Sequence, residues 1–455
     1  MPVHPGQQLR LKIDALAFGG AGVARREGMV LFVERGLPGQ IVEAKVTRVK
    51  KRHAFARVLE VVERSSFEMD PGCPHFDQCG GCAFRDLDYA AQLQWKRVHA
   101  EDALSRLAGI RDVEVRPVLP SPQLQGFRNK MEFSFQDRQD GGVTIGLHKR
   151  SSGRAVMEVP HCQLPPPETM AALATASDAA KNLSGSTFDP EARRGFWRRL
   201  IIRQSQGTKR IMVHLITTNL PRFFPEAKKL LEAIRSAHPQ VSSCVHSTRN
   251  NAKDIALGEH EVLHLGEHFL EERLAGYRLR ITPNAFFQTN TLGAEVLCKA
   301  LLDAADFNGS ETVYDLYCGV GALTLPLARA VRQAAGVEIL ENAVLAAREN
   351  ADLNNIRNCP FLAVDLKDAR RAFSQLPPPD AVIADPPRAG MHENLLRELL
   401  TERPRTILYV SCNPPTMARD LKPLLDAYRL HSAQPVDLFP HSPHVEIVVK
   451  LQLAD

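Results

Sequence analysis

Nowhere in the 455 residues does an apolar run approach the roughly 18 residues of a membrane span, and Met1-Pro2-Val3-His4-Pro5 has neither the cationic segment nor the apolar core of an export leader. A soluble, cytoplasmic protein without a membrane partner is therefore expected. Internal repeats and low-complexity tracts are missing as well, which argues against solenoids and disordered spacers. The cysteines do not make a disulfide framework either. There are nine, an odd number, and four lie in or near one short stretch, so metal binding or catalysis has to be considered instead. Net charge is only +5, yet residues 1–66 hold 12 Lys/Arg against 6 Asp/Glu, so this segment alone carries an excess of +6. A polyanionic partner suits it; so does a solvated basic face.

The length suggests about three units. Residues 8–15, 28–33, 39–48 and 54–62 read as short strands separated by Gly19, Gly20, Gly22 and Gly36, a small OB-like β-barrel. Between the last two strands, Arg48, Lys50, Lys51 and Arg52 form a cationic hairpin tip suited to phosphates. Residues 67–280 are less regular: a helix over 89–108, strands near 130–136, 143–148, 200–203 and 210–217, and a helix over 225–237, with prolines at 160 and 165–167 marking a break. Basic and aromatic residues interleave in Phe127-Arg128-Asn129-Lys130 and in residues 193–199, so Arg128 and Lys130 are candidate RNA contacts, although such clusters are often ordinary surface. From about residue 281, strands (312–316, 335–338, 381–384, 406–410) alternate with helices (323–332, 343–354, 393–401, 417–426), which predicts a doubly wound parallel sheet. Ligands of such sheets sit at the carboxyl ends of the strands.

Asp315-Leu316-Tyr317-Cys318-Gly319-Val320-Gly321 ends the first of these strands, and Glu338 ends the next, 19 residues beyond Gly319. Glycines let a ligand approach the backbone, and an acid at that distance suits ribose hydroxyls. Thr324 replaces the third glycine of a dinucleotide fingerprint, which weakens the case for a pyrophosphate. S-adenosylmethionine has a cationic sulfonium and no phosphate, so the acids Asp315, Asp365 and Asp385 fit it better than NAD. A nucleotide-free core with chance glycines is the bland alternative.

Two further strand ends carry Asp385-Pro386-Pro387-Arg388 and Ser411-Cys412-Asn413-Pro414-Pro415. A thiolate beside a methyl donor suits methylation at C5 of uracil, a poor nucleophile until another nucleophile adds at C6. A base must then remove the C5 proton. Glu446, at the start of the last apolar strand, is a candidate whose basicity burial would raise; an exposed Glu at an edge-strand end is the plainer expectation. The prolines after Cys412 are expected to delay the next helix.

These motifs, with Cys73-Pro74-His75-Phe76-Asp77-Gln78-Cys79-Gly80-Gly81-Cys82 and residues 283–290, resemble the RNA 5-methyluridine methyltransferase family over essentially the whole chain. The resemblance implies an α/β protein of three parts. These are a TRAM barrel (1–66), a central α/β domain with an iron–sulfur cluster (67–280), whose helix near 89–108 reaches the catalytic part, and a Rossmann-like class I methyltransferase (281–455). It implies Cys412 as nucleophile and Glu446 as proton-abstracting base. Gln288, Tyr317, Gly319, Gly321, Glu338, Asp365 and Asp385 become S-adenosylmethionine-site residues. Cys73, Cys79, Cys82 and Cys162 become ligands of a [4Fe–4S] cluster, with tetrahedral zinc as the rival. Ala322 departs from relatives that have asparagine there. The implied product is 5-methyluridine, made by a monomer in 23S rRNA, with the T-loop of tRNA as the alternative. An RNA-binding iron–sulfur protein and a redox protein are the competing classes; neither accounts for the methyltransferase motifs.

Overall fold

The computed structural model describes residues 3–253 and 255–454. Its first sheet has six strands in the order Gln8–Lys12, Ile41–Val49, His53–Glu63, Met29–Glu34, Gly22–Arg26, Ala15–Leu16. Alternation does the sorting: Leu9, Leu11, Leu31, Val33, Val42, Ala44, Val46, Ala54 and Ala56 point into a common core, and their neighbours face outward. The strand Gly22–Arg26 lies where the sequence suggested only a turn. Gly22 is needed there because a Cβ would come within 2.5 Å of the Gly36 carbonyl oxygen. The basic tip is a tight hairpin in which Lys50 N–H donates to His53 O at 2.8 Å.

The second sheet has seven strands in the order His260–Gly266, Val241–Thr248, Ile211–Thr217, Trp197–Gln204, Lys130–Asp137, Val143–His148, Val156–Met157. Helices Pro167–Ala180 and Phe224–Ala237 share its apolar core. The prolines near 165 thus open a helix as well as break the chain. Pro166 is the residue before the helix and Pro167 its first, where a missing N–H costs nothing. The hairpin of Leu270–Leu274 and Tyr277–Ile281 packs Leu274, Leu279 and Ile281 into the same core as the third sheet.

That third sheet runs Phe361–Ala363, Gln333–Glu338, Thr312–Leu316, Ala381–Ala384, Thr406–Ser411, Glu446–Leu453, Tyr428–Val436. The first five strands are parallel, and Glu446–Leu453 alone runs antiparallel, to Thr406–Ser411 on one side and to Tyr428–Val436 on the other. Chain order reverses between Thr312–Leu316 and Ala381–Ala384, which opens a crevice at their carboxyl ends.

The three parts are stitched together. Helix Tyr89–Asp102, continued by a π-helical turn Ala103–Ala108, lies against the third sheet. Within the interface Lys96 Nζ reaches Asp437 Oδ1 at 2.6 Å, both side chains fully buried, and also donates to Phe439 O. Tyr89 OH donates to the other oxygen of Asp437, and the main-chain N–H groups of Ala83 and Phe84 both donate to His441 O at 3.0 Å. Among the described residues, no helix is long and apolar enough to cross a membrane.

Candidate active site at the sheet edge

The strand Thr312–Leu316 is buried throughout and ends in a turn of left-handed residues: Tyr317 (φ 67°), Gly319 (φ 54°) and Gly321 (φ 83°). A Cβ on Gly319 would meet nothing within 4 Å, so open space lies above the turn as well as a conformation that favours glycine. Glu338 closes over this turn from the next strand, accepting from Gly319 N–H at 3.2 Å and Leu340 N–H at 3.0 Å. Beside it Ile339 and Leu340 stand exposed, an apolar flank that strand-and-helix patterning gave no reason to expect. Thr324, in the place of the third glycine, donates its hydroxyl to Asp315 Oδ2 at 2.5 Å. The other oxygen of Asp315 is buried without a partner. Burial pushes this carboxyl up to about 7, opposed by the Thr324 bond and reinforced by the charges of Asp385 and Glu338.

Tyr317 and Asp365 line a neighbouring cleft with Pro387, Gly390 and His392. Asp365 is exposed and caps the short helix Leu366–Asp368, accepting from Lys367 N–H at 2.9 Å. Gln288 is half-buried in the loop before Asn290, and its main-chain oxygen accepts from the Asn129 side chain at 2.9 Å.

Cys412 follows Thr406–Ser411, and the next helix, Pro414–Leu424, starts almost at once with Asn413 before it. The prolines begin this helix rather than delay it, because its first turn needs no proline N–H. The helix then lashes down the loop after Asp385. Asn413 and Thr416 side chains donate to Arg388 O at 3.0 and 3.2 Å, and Arg419 donates to Ala389 O at 2.7 Å. Met391 N–H and Tyr409 OH both donate to Asp420 Oδ2. Gly390 (φ 82°) is required in this bend, since a Cβ would lie 2.3 Å from Asp420.

The register Ser411↔Ile447 places Cys412 and Glu446 one step further along the same antiparallel pair. Glu446 is only 4% exposed, and its strand lies inside the sheet, covered on its outer side by Tyr428–Val436. The expectation of an exposed edge residue is therefore overturned. Its Oε2 has no hydrogen-bond partner. Burial holds the Glu446 carboxyl well above the usual range, the charge of Asp385 raises it further, and Arg388 opposes both. Asp385 is likewise pushed up to about 7 by burial. Burial lifts the Cys412 thiol to about 11, the Glu446 charge adds to this, and Arg388 pulls the other way. Arg388, whose Nη2 also lies 3.3 Å from His444 Nε2, is thus the cation of the site. Sequence reasoning quoted it within its motif without giving it a task; a lone arginine between two strand-end acids and a thiol was the available signal.

Cys73, Cys79, Cys82 and Cys162 meet around one cavity, also lined by Phe76, Arg85 and Leu147. Gly81 N–H points at Cys79 Sγ from 3.3 Å. Burial pushes the Cys82 thiol up to about 12, and a charge on Cys162 adds to it. Arg150 donates to Cys82 O, and Arg85 ties Pro71 O to the Gln163 side chain, so the loops carrying the cysteines are held together from outside.

Arg48, Lys50, Lys51 and Arg52 are all exposed at the barrel tip. Arg128 and Lys130 are only half-exposed and already engaged: Arg128 Nε donates to Lys130 O, and Lys130 pairs with Glu132 at 2.8 Å.

A doubly wound sheet with a glycine turn, paired acids and a thiol at its ligand edge, joined to a small basic barrel, is the build of an RNA methyltransferase. Comparison with known proteins makes the family specific. The tRNA (uracil-5-)-methyltransferase family model matches residues 224–453, the TRAM domain model matches residues 2–59, and the chain belongs to that family. It is 43% identical over 450 residues to an uncharacterized RNA methyltransferase of Nitratidesulfovibrio vulgaris, covering 98% of this chain and 96% of that protein. With one from Clostridium tetani it shares 34% identity over the whole of both chains. Among solved structures it is similar to the Pyrococcus abyssi tRNA (uracil-54, C5)-methyltransferase in complex with S-adenosyl-L-homocysteine. The TM-score there is 0.75 at 29% identity, over 97% of this chain and 100% of that one.

Proposed function

We propose that this chain makes 5-methyluridine in RNA by covalent catalysis from Cys412. The observation that carries this reading is Cys412 and Glu446 facing each other across one strand pair, with Asp385 and Arg388 beside them, at the mouth of the glycine turn. S-adenosylmethionine, when bound, supplies a methyl group on a cationic sulfonium. The open space over Gly319, the Glu338 carboxylate and the orphaned oxygen of Asp315 suit its ribose and positive charge. Gln288, Tyr317, Asp365 and Asp385 complete that site. Cys412, as thiolate, forms a bond to C6 of the uracil, and the C5–C6 π electrons move to C5 and the adjacent C4 carbonyl oxygen. Arg388 stabilises the thiolate against burial. C5 takes the methyl group, Glu446 accepts the C5 proton, and the bond from Cys412 to C6 then breaks to free the thiolate and restore the ring.

The target we favour is a uridine of 23S rRNA, supported by the barrel and four cysteines together. A tRNA target is the second reading, favoured by the likeness to the Pyrococcus abyssi enzyme along nearly the whole chain. Incubating the protein and labelled S-adenosylmethionine with rRNA and tRNA from a strain lacking it should label 5-methyluridine in 23S rRNA. Label confined to tRNA would select the second reading, and label in neither would refute the function.

The four thiols fit a [4Fe–4S] cluster. They converge from two loops on one cavity, and Gly81 offers an N–H to sulfur. They are also spread more widely than zinc requires. Four Zn–S bonds of about 2.3 Å put sulfurs roughly 3.8 Å apart, whereas among the described residues no three of these sulfurs lie within 4.8 Å of one another. A cluster there would be structural, since methyl transfer consumes no electron. Anaerobically purified protein is expected to hold about four irons per chain, and Cys82→Ser to lose them along with stability. Stoichiometric zinc without iron would overturn the assignment.

A further inference from the structure

The barrel places aromatic side chains where its own core cannot use them. Leu31, Val33, Ala54 and Ala56 point inward, so Phe32, His53 and Phe55 point out. The parallel register Phe32↔Phe55 sets the two rings side by side with centroids 5.7 Å apart, and His53 stands edge-on to both, at 5.6 and 5.2 Å. On the opposite flank the pairing of Ile41–Val49 slips between Val46 and Arg48. Thr47 is the extra residue, and this bulge brings Arg48 opposite Phe55, its guanidinium carbon 4.2 Å from the ring centroid. Phe18, 38% exposed, closes the hollow from the turn between Ala15–Leu16 and Gly22–Arg26.

Phe32, His53 and Phe55 are half-buried, and the ring surface that Arg48 does not cover is a cost in water unless something flat lies on it. We propose that this hollow seats one unpaired nucleobase of the RNA, stacked on Phe32 and Phe55, an inference that rests on the RNA methyltransferase reading above. The surroundings select a nucleotide. Residues 44–59 contain no Asp or Glu and carry Arg48, Lys50, Lys51 and Arg52 at the tip for the flanking phosphates. Glu34 on the rim repels a phosphate from the hollow itself and leaves that space to the base. The seat also adjoins the chemistry: Gly20, two residues from Phe18, lies so that a Cβ would be 3.6 Å from Pro443, in the loop that leads to Glu446. The seated base therefore belongs to the same stretch of RNA as the target uridine.

The test compares labelled oligouridylate with an abasic ribose–phosphate oligomer of equal length, by fluorescence anisotropy over a range of salt. The wild-type chain should prefer the oligouridylate by about tenfold or more, the value of a stacked base. The Phe32→Leu/Phe55→Leu double variant should lose about tenfold of that preference, keeping only what the Cys412 site itself contributes, with an unchanged salt slope and unchanged cofactor binding. Replacing Lys50, Lys51 and Arg52 by Ala should instead weaken both oligomers and flatten the slope by about 0.7 per lost contact. A double variant that keeps the preference while wild-type protein methylates RNA would sink the seat alone. A wild-type protein that methylates no RNA would sink the underlying reading.

Discussion

Cys412→Ala is expected to lose about 10⁴-fold or more in turnover and to form no denaturation-resistant complex with target RNA containing 5-fluorouridine. The wild-type chain should form that complex nearly stoichiometrically. Fluorine at C5 cannot leave as a proton does, so Glu446 has nothing to remove and the bond between Cys412 and C6 persists. A complex of undiminished yield in Cys412→Ala, seen on a denaturing gel, would move the nucleophile elsewhere. The neighbouring cation gives the same assignment a pH signature. Burial has lifted the Cys412 thiol to about 11 and Arg388 opposes that shift. The thiolate fraction, and with it the single-turnover rate, should therefore climb with pH above neutrality. Arg388→Ala should push the climb to still higher pH, and Arg388→Lys should restore part of it.

The second large effect falls on Glu446→Gln. This variant should transfer one methyl group and then stall, slowed about 10²- to 10⁴-fold, with enzyme held through Cys412 on methylated RNA that carries no fluorine. A burst of one methyl per enzyme followed by almost no turnover is the expected trace, and ordinary turnover would remove Glu446 from the mechanism. Stability separates this outcome from misfolding. The folded-state value of Glu446 is raised above its unfolded one, so its contribution to stability is complete below the ordinary carboxylate range and is lost as pH rises through the folded value. Glutamine cannot ionise. Denaturation midpoints of the cofactor-free variant should therefore gain on wild type as pH rises above the ordinary carboxylate range.

The third sheet was legible in the sequence because its parallel strands are continuous apolar runs ending in glycine, proline or acid. Tyr317, Asp385 and Cys412 could be placed at one edge for that reason alone. The second sheet was less so. Its strand Val241–Thr248 buries Ser243, His246, Ser247 and Thr248, of which Ser247 bonds to His214 at 2.9 Å and His246 to Thr217 at 2.8 Å. Polar residues paired inside a core erase the alternation that marks a strand. Gly22–Arg26 was hidden by its glycine. The burial of Glu446 was hidden differently: the strand that covers it, Tyr428–Val436, precedes it in the chain, and no local pattern shows that the later strand inserts between two earlier ones.

The buried pair of Lys96 and Asp437 also bears on how the molecule comes into being. The partners are 341 residues apart, and at a synthesis rate of about 5–20 residues per second the lysine waits roughly 20 to 70 seconds for its aspartate. Throughout that interval the sheet its helix lies on is incomplete, and the ammonium stays in solvent without its acceptor. The cysteine-bearing segment just ahead of it can already meet Arg150 and Gln163, but its contacts at His441 come about 350 residues later. This region depends on solvent or a chaperone to shield the helix face until the strands around Asp437 arrive. The loop that leads to Glu446 is therefore fixed only once Lys96 has found Asp437.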